Sequence, residues 1–342
     1  MTVIVTGGTG FIGANVTRKF IDEGYDVCAL DVKARDVDFL QDKRCWKFFK
    51  GDITDLRSLE RTIKTENPEG IVHAGVFQDF ADIFKTFEVN VKGTAYVLEA
   101  ARRYDLKAII LSSASVYGQL EGKGPIRENQ QFGPTYPLRE YDSTWAPEYC
   151  TSKRMMEEWS KLLVDLHGLD VTSLRLAWVY GRGPSNYQLN QGPNFLLRKA
   201  LAGEAFEIPY GRDTFCDLVY VKDVCEAIFK AFRMHKCRSF LYNIAYEKGY
   251  FMREVCETIS KLIPGSRISL GPGIWPSKGV PYPRGAISWP GTRHMDISLA
   301  KDELNYRPAY DLERGFNDYI TWMRSNWSVC SFDAVPFSIA VS

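Results

Sequence analysis

Tyr149 and Lys153 lie four residues apart in the run Tyr149-Cys150-Thr151-Ser152-Lys153. On a helix that spacing puts both side chains on one face. A free phenol titrates near ~10, too high for a base at neutral pH. A nearby ammonium stabilises the phenolate, so Tyr149 would take a proton from a hydroxyl or return one to an alkoxide. Taken alone, the pair reads as an ordinary surface contact. A second group stands at the start of the chain, in Thr6-Gly7-Gly8-Thr9-Gly10-Phe11-Ile12-Gly13. Gly8, Gly10 and Gly13 fit G-x-G-x-x-G, while Gly7, Gly10 and Gly13 fit G-x-x-G-x-x-G. Glycines permit a tight turn and let backbone N–H groups approach a pyrophosphate at a helix N-terminus. Asp31 ends the next apolar run, where an acid accepts hydrogen bonds from an adenosine ribose and repels a 2′-phosphate. NAD is therefore the expected dinucleotide, although Lys33 and Arg35 stand close by.

Both groups need elements to hold them. Val3-Ile4-Val5 has the composition of a buried parallel strand, and Phe11, Ile12, Val16, Phe20 and Ile21 follow at helical spacing. Strands and helices then alternate to about residue 176. Strands are expected at Val27–Leu30, Trp46–Phe49, Gly70–Gly75, Lys107–Leu111 and Val171–Leu176. Helices are expected around Leu56–Ile63, from Phe84 to Tyr104, and from Tyr149 to Leu166. Asp52 and Ile53 follow the third strand, at a carboxyl end where open α/β sheets bind ligands. Ala74 and Gly75 form a small-residue turn that admits a ligand or serves the turn alone. The segment Gln119 to Pro147 is long and rich in Gly, Pro and charge, as loops bordering active sites are.

The fold class is thus α/β, a Rossmann-type doubly wound parallel sheet over residues 1–176. A smaller mixed α/β lobe occupies mainly 177–327, and 328–342 form a tail. Beyond 177, helices are expected near 195–201, 221–232, 251–262, 297–304 and 312–325. Short strands are expected at 206–208 and 240–244, the chain passing between lobes more than once.

The chain has 342 residues, ample for a large α/β domain with a smaller one. Its 43 basic and 42 acidic residues leave a net charge of +1, so no nucleic-acid or anionic-membrane partner is expected. No leader-like segment stands before the first strand and no run approaches the ~18 apolar residues of a membrane span, so a cytoplasmic location is expected. Eight cysteines include no C-x-x-C pair, which argues for reduced thiols and against a metal site.

The order TGGTGFIG, Asp31, GD-I, HAG, N-x-x-GT, SSASVYG, Y-x-x-x-K and VYV-x-D resembles the extended short-chain dehydrogenase/reductases, the NAD-dependent epimerase/dehydratase family. It runs from Val3 to about Trp327, and the order of motifs carries it more than any single one. The resemblance implies a Ser113–Tyr149–Lys153 triad, with Ser113 orienting the reacting oxygen and Lys153 also holding the nicotinamide ribose. It further implies cofactor contacts from Gly7, Gly10, Phe11, Ile12, Gly13, Asp31, Asp52, Ile53, Ala74, Gly75, Asn90, Tyr149 and Lys153. A homodimer through a four-helix bundle follows too, with Tyr96, Val97, Met156, Trp159, Leu163 and Leu166 as apolar surface.

Departures from the family pattern narrow the reaction. Ala114 and Ser115 stand where 4,6-dehydratases carry an Asp-Glu pair, and Ser115 stands where decarboxylases carry Glu. In Arg175-Leu176-Ala177-Trp178, Trp178 replaces the Asn that grips a diphosphate, and Cys216 replaces an Arg before Asp217. Arg212 has the wrong spacing to substitute simply. The expectation is an NAD-dependent oxidoreductase acting on a small hydroxy or keto substrate, with Ser115, Trp178, Asn186 and Arg212 as substrate candidates. A nucleotide-sugar 4-epimerase is the alternative, and an inactive dinucleotide-binding relative a further one.

Overall fold

The computed structural model describes all residues except 36–44, 78–81, 119, 121–122, 136–146, 184–191, 275–292 and 327–342. The first strand, β1 (Thr2–Thr6), carries the fully buried Val3, Ile4 and Val5. It has a parallel neighbour on each side, β2 (Asp26–Asp31) and β4 (Gly70–His73). β3 (Trp46–Lys50) follows β2. β5 (Lys107–Ser113), β6 (Val171–Leu176) and β10 (Leu241–Ile244) extend the sheet beyond β4. All seven strands are parallel, in the order β10-β6-β5-β4-β1-β2-β3. The chain therefore reverses direction between β1 and β4, which opens a crevice at their carboxyl ends.

Helices cover both faces. α1 (Phe11–Asp22) packs against α7 (Val221–Arg233). Phe20 meets Tyr25, Phe229 and Phe232 edge to face between these layers. α2 (Leu56–Glu66), α4 (Gly93–Tyr104) and α5 (Pro147–His167) lie together on the other face. Asp55 caps α2 by accepting from the Arg57 N–H, one of the donors a helix start leaves open. The expected Phe84–Tyr104 helix is three joined pieces: α3 (Ile83–Thr86), a π turn (Phe87–Lys92) and α4. The wider π turn carries Asn90.

Two small sheets build the second lobe. β7 (Trp178–Tyr180) pairs in parallel with β9 (Phe215–Tyr220), which pairs antiparallel with β11 (Gly249–Phe251). β8 (Phe206–Gly211) pairs with β12 (Ile268–Gly271). Around them stand α6 (Gly192–Leu201), α8 (Met252–Leu262), α9 (Ser298–Glu303) and α10 (Leu312–Ser325). β7, β9, β11 and β12 were not expected. All six residues of β9 are buried, so no alternation marks it. Two residues assigned to a dimer surface also turn inward: Val97 and Met156 are buried within the subunit. Trp159 and Leu166 of that set are exposed, joined by Met155 and Leu162 on α5, Ile83 and Phe84 on α3 and Phe87 in the π turn. No described helix is long and apolar enough to cross a membrane.

Candidate active site

The turn between β1 and α1 folds tightly. Gly7 has φ +63°, and a Cβ there would come within 2.8 Å of the Gly75 backbone. A Cβ on Gly13 would sit 2.0 Å from the Gly7 carbonyl oxygen. Only glycine lets α1 start this close to the turn. A cleft of about 410 Å³ opens here, lined by Gly7, Gly10, Phe11, Ile12, Gly13, Asp31, Asp52, Ile53, Ala74 and Gly75. Ten residues singled out in the sequence thus surround one space, shaped for a pyrophosphate at a helix start and a ribose at β2. Val32, Arg35, Phe77, Lys85 and Val89 also line it and carry no sequence motif.

Asp31 is buried, and its Oδ2 accepts from the Thr9 hydroxyl at 2.9 Å and from Arg35 at 3.0 Å. The guanidinium that would favour a 2′-phosphate is therefore engaged by the carboxylate that repels one. Asp52 accepts from the Thr54 N–H and hydroxyl, which fixes the loop after β3.

Asn90, Tyr149 and Lys153 are not among the residues that line this cleft. Asn90 is fully buried and binds protein: its Oδ1 accepts from the Phe77 N–H at 2.8 Å, and its Nδ2 donates to the Phe77 carbonyl and to Ser152 Oγ. The structure thus makes Asn90 a clamp on the loop after β4. Its side-chain amide binds that loop and Ser152. The Ser152 hydroxyl donates in turn to the Tyr149 carbonyl, so the clamp reaches α5.

A second chain of bonds starts at the cleft. The Gly75 N–H donates to the Thr6 hydroxyl, which donates to His73 Nδ1; His73 Nε2 donates to the Thr94 hydroxyl, which donates to the Asn90 carbonyl. Each donor has one acceptor only if His73 is neutral with its proton on Nε2. Burial, with the Lys153 charge nearby, pushes His73 down to about 3.

Tyr149 and Lys153 project from α5 as their spacing requires, both buried. The Lys153 ammonium lies 5.7 Å from the centre of the Tyr149 ring and donates to the Leu111 carbonyl of β5 at 2.7 Å. Burial pushes Lys153 down to about 8, and the Glu157 carboxylate one turn later opposes that shift. Glu157 is buried, forked by Arg175 at 2.6 Å and bonded by the Ser112 hydroxyl. Ser113 ends β5, and its Oγ accepts from the Ser115 N–H at 3.2 Å. β5 packs against α5, and Lys153 reaches the β5 carbonyl of Leu111, two residues before Ser113.

The substrate candidates scatter more. Ser115 is half-buried in the 3₁₀ turn after β5. Trp178 is half-buried against the start of α6, where a Cβ on Gly192 would meet its ring at 2.3 Å. Arg212 is half-exposed beside Asp213, at 3.6 Å, and is not among the residues that line the cleft. Cys216 packs inside the lobe against Met252 and offers neither charge nor a strong donor. Asn186 lies outside the described residues. The seven described cysteines are free, and no cluster of metal ligands occurs among the described residues.

Sequence reasoning missed Thr9, His73, Glu157 and Asp217. Glu157 alone left a signal, an acid one helical turn beyond Lys153.

Residues 3–245 match the family model described as NAD-dependent epimerase/dehydratase family. The UDP-glucose 4-epimerase of Lacticaseibacillus casei is 28% identical over 332 residues, covering 91% of this chain and 93% of that protein. The crystal structure of a Thermotoga maritima UDP-glucose 4-epimerase with UDP-glucose superposes with a TM-score of 0.79 at 24% identity, covering 96% of this chain and 100% of that one. A Bacillus anthracis dTDP-glucose 4,6-dehydratase in complex with NAD gives 0.77 at 24% identity, over 96% and 98% of the two chains. These two structures speak for the fold, while the family match runs through the glycine turn, the cleft and α5. On that match this chain belongs to the NAD-dependent epimerase/dehydratase family.

Proposed function

We propose that the protein is an NAD-dependent oxidoreductase acting between a secondary alcohol and its ketone on a small hydroxy or sugar-like substrate. The observation that carries this reading is the buried Tyr149–Lys153 pair, set beside the strand end that bears Ser113. When bound, NAD supplies the hydride acceptor, and NADH the donor. The glycine turn, Phe11 and Ile12 would hold its pyrophosphate and Asp31 its ribose, with Asp52, Ile53, Ala74 and Gly75 closing the cleft. Tyr149 takes the proton from the substrate hydroxyl during oxidation and returns it during reduction. Lys153 stabilises the phenolate through its charge, and Ser113 donates to the reacting oxygen. Residues 1–176 provide the dinucleotide site and 177–327 mainly the substrate lobe, although β10 and α7 join the first layer system.

Two features favour a substrate without a nucleotide. Trp178 presents an apolar ring where the family pattern has Asn, and Cys216 is packed against Met252 where it has Arg. A diphosphate there would surrender its hydration for little in return. The test is NADH absorbance across a panel of secondary alcohols, with Tyr149→Phe as the control that must lose the signal. Calorimetry with UDP and dTDP against NAD-saturated protein checks the substrate class. Micromolar binding of either overturns the non-nucleotide reading.

A second reading, nucleotide-sugar 4-epimerase, is favoured by the UDP-glucose 4-epimerase relatives that align over nearly the full chain. An epimerase regenerates NAD in every cycle and retains it, whereas a dehydrogenase exchanges it. The ultraviolet spectrum of supernatant from denatured, extensively dialysed protein distinguishes them.

A further inference from the structure

Three arginines are buried among the described residues, and two of them are satisfied. Arg175 is forked onto Glu157. Arg293 donates to the carbonyls of Gly124 and Pro125 and to Gln130 Oε1. Arg198, on α6, is the third. It is 8% exposed, and its Nε is sealed from solvent with no hydrogen-bond partner. The described neighbour of its guanidinium is the Phe195 ring, 5.7 Å away. No described carboxylate pairs with it. A guanidinium carries a permanent charge, and burying one without a counter-ion destabilises the fold. Packing alone therefore gives no reason for an arginine here, where methionine would fill the same space.

Its place in the fold supplies a reason. Gly192, at the start of α6, is pressed against Trp178, and Asn194 accepts from the Gly181 N–H just after β7 at 3.1 Å. Arg198 follows Asn194 by one helical turn, so the two share a face. α6 packs against α8, α10 and β12, which places that face in the second lobe, the lobe proposed to hold the substrate.

We infer that Arg198 is the anion-recognising residue of the substrate site, and that the substrate carries a carboxylate or phosphoryl group besides its reacting hydroxyl. This rests on the oxidoreductase reading above for the identity of the pocket. The planar fork of a guanidinium matches either group through two parallel hydrogen bonds. The ligand's charge then completes the pair that the protein leaves open.

The test uses NAD-loaded full-length protein and calorimetric titration with glucuronate, glucose 1-phosphate and UDP, against neutral glucose. At least one anionic probe is expected to bind more tightly than glucose. Arg198→Met is expected to weaken it about 10- to 100-fold, with partial recovery in Arg198→Lys. Glucuronate as the strongest probe assigns a carboxylate, and glucose 1-phosphate or UDP a phosphoryl group. Thermal unfolding supplies an independent readout: without ligand, Arg198→Met should unfold at the same or a higher temperature than the native protein. Equal anion binding by the Met variant, or no anion binding by the native protein, overturns the inference. So does a Met variant that unfolds at a lower temperature without ligand, since that marks a structural arginine. Repeating the titration in Tyr149→Phe separates the two claims. Anion binding that survives without turnover supports Arg198 even where the hydride-transfer reading fails.

Discussion

A phenol becomes a useful base only while a cation stands beside it, so in the proposed reaction the charge on Lys153 governs Tyr149. Burial pushes Lys153 down to about 8, which leaves the ammonium largely protonated at neutral pH. Tyr149→Phe removes the proposed proton-transfer group and changes none of the residues that line the cleft. Turnover should fall ~10²-fold or more while NAD affinity is kept. Steady-state kinetics beside NAD calorimetry checks this, and more than about a tenth of native activity would contradict the role. Lys153→Ala should reduce both turnover and NAD affinity. Asp31 supports a separate prediction. Its carboxylate holds Arg35 at 3.0 Å. In Asp31→Ala the repulsion of a 2′-phosphate disappears and the released guanidinium becomes free to bind one. NAD should weaken and NADP improve relative to it, measured as the ratio of kcat/KM for the two cofactors. A native protein that already prefers NADP would refute the assignment.

At the scale of elements, β9 carries a carboxyl that links stability to pH. Asp217 Oδ2 accepts from the Met295 N–H at 2.8 Å, while Oδ1 is buried with no hydrogen-bond partner among the described residues. Burial pushes this group up to about 7 from an ordinary value of 3.8. The folded state then holds a proton that the unfolded chain has released. The neutral form's stabilising contribution is full below about 4 and declines as pH rises through 7. His73 acts oppositely: pushed down to about 3, it costs stability as pH falls below its ordinary 6.5. Asp217→Asn should flatten the decline between pH 5 and pH 8, read as unfolding temperature at the two values. An unchanged slope would assign the decline to other groups. These elements also differ in how plainly the sequence announces them. The glycine turn was legible because strand, turn and helix are contiguous, and each glycine answers a local steric demand. Tyr149 and Lys153 were legible through one helical turn. β9 was not, since Cys216 and Asp217 are both buried and no polar face alternates with an apolar one. Nor was the role of Asn90, whose partners Phe77 and Ser152 come from a loop and a distant helix. A sequence shows what neighbours demand, and those pairings are set by the way the layers stack.

For the whole molecule, the outer face of α5 decides whether one copy is enough. Met155, Trp159, Leu162 and Leu166 recur at helical spacing and remain exposed, although the opposite side of the helix is buried through Met156 and Ser160. α3 packs beside α5 and adds Ile83 and Phe84, the latter 85% exposed, while Phe87 follows in the π turn. Single exposed apolar residues are ordinary, but a contiguous set on adjacent helices marks an interaction surface. The family resemblance names a second copy as its occupant, with two helices from each subunit forming a bundle. Self-association through a two-fold axis would place each α5 stripe against its mate and bury Trp159 near the centre. Tryptophan at such a position contributes about 2 kcal/mol or more, so Trp159→Glu should raise the dimer Kd by roughly 30-fold or more. Trp159 is not among the residues that line the cleft, so the variant should still bind NAD. Light scattering at micromolar concentration reads the mass of both proteins. A native protein of monomeric mass, about 39 kDa, refutes the dimer. A native dimer unaffected by Trp159→Glu moves the interface off α5.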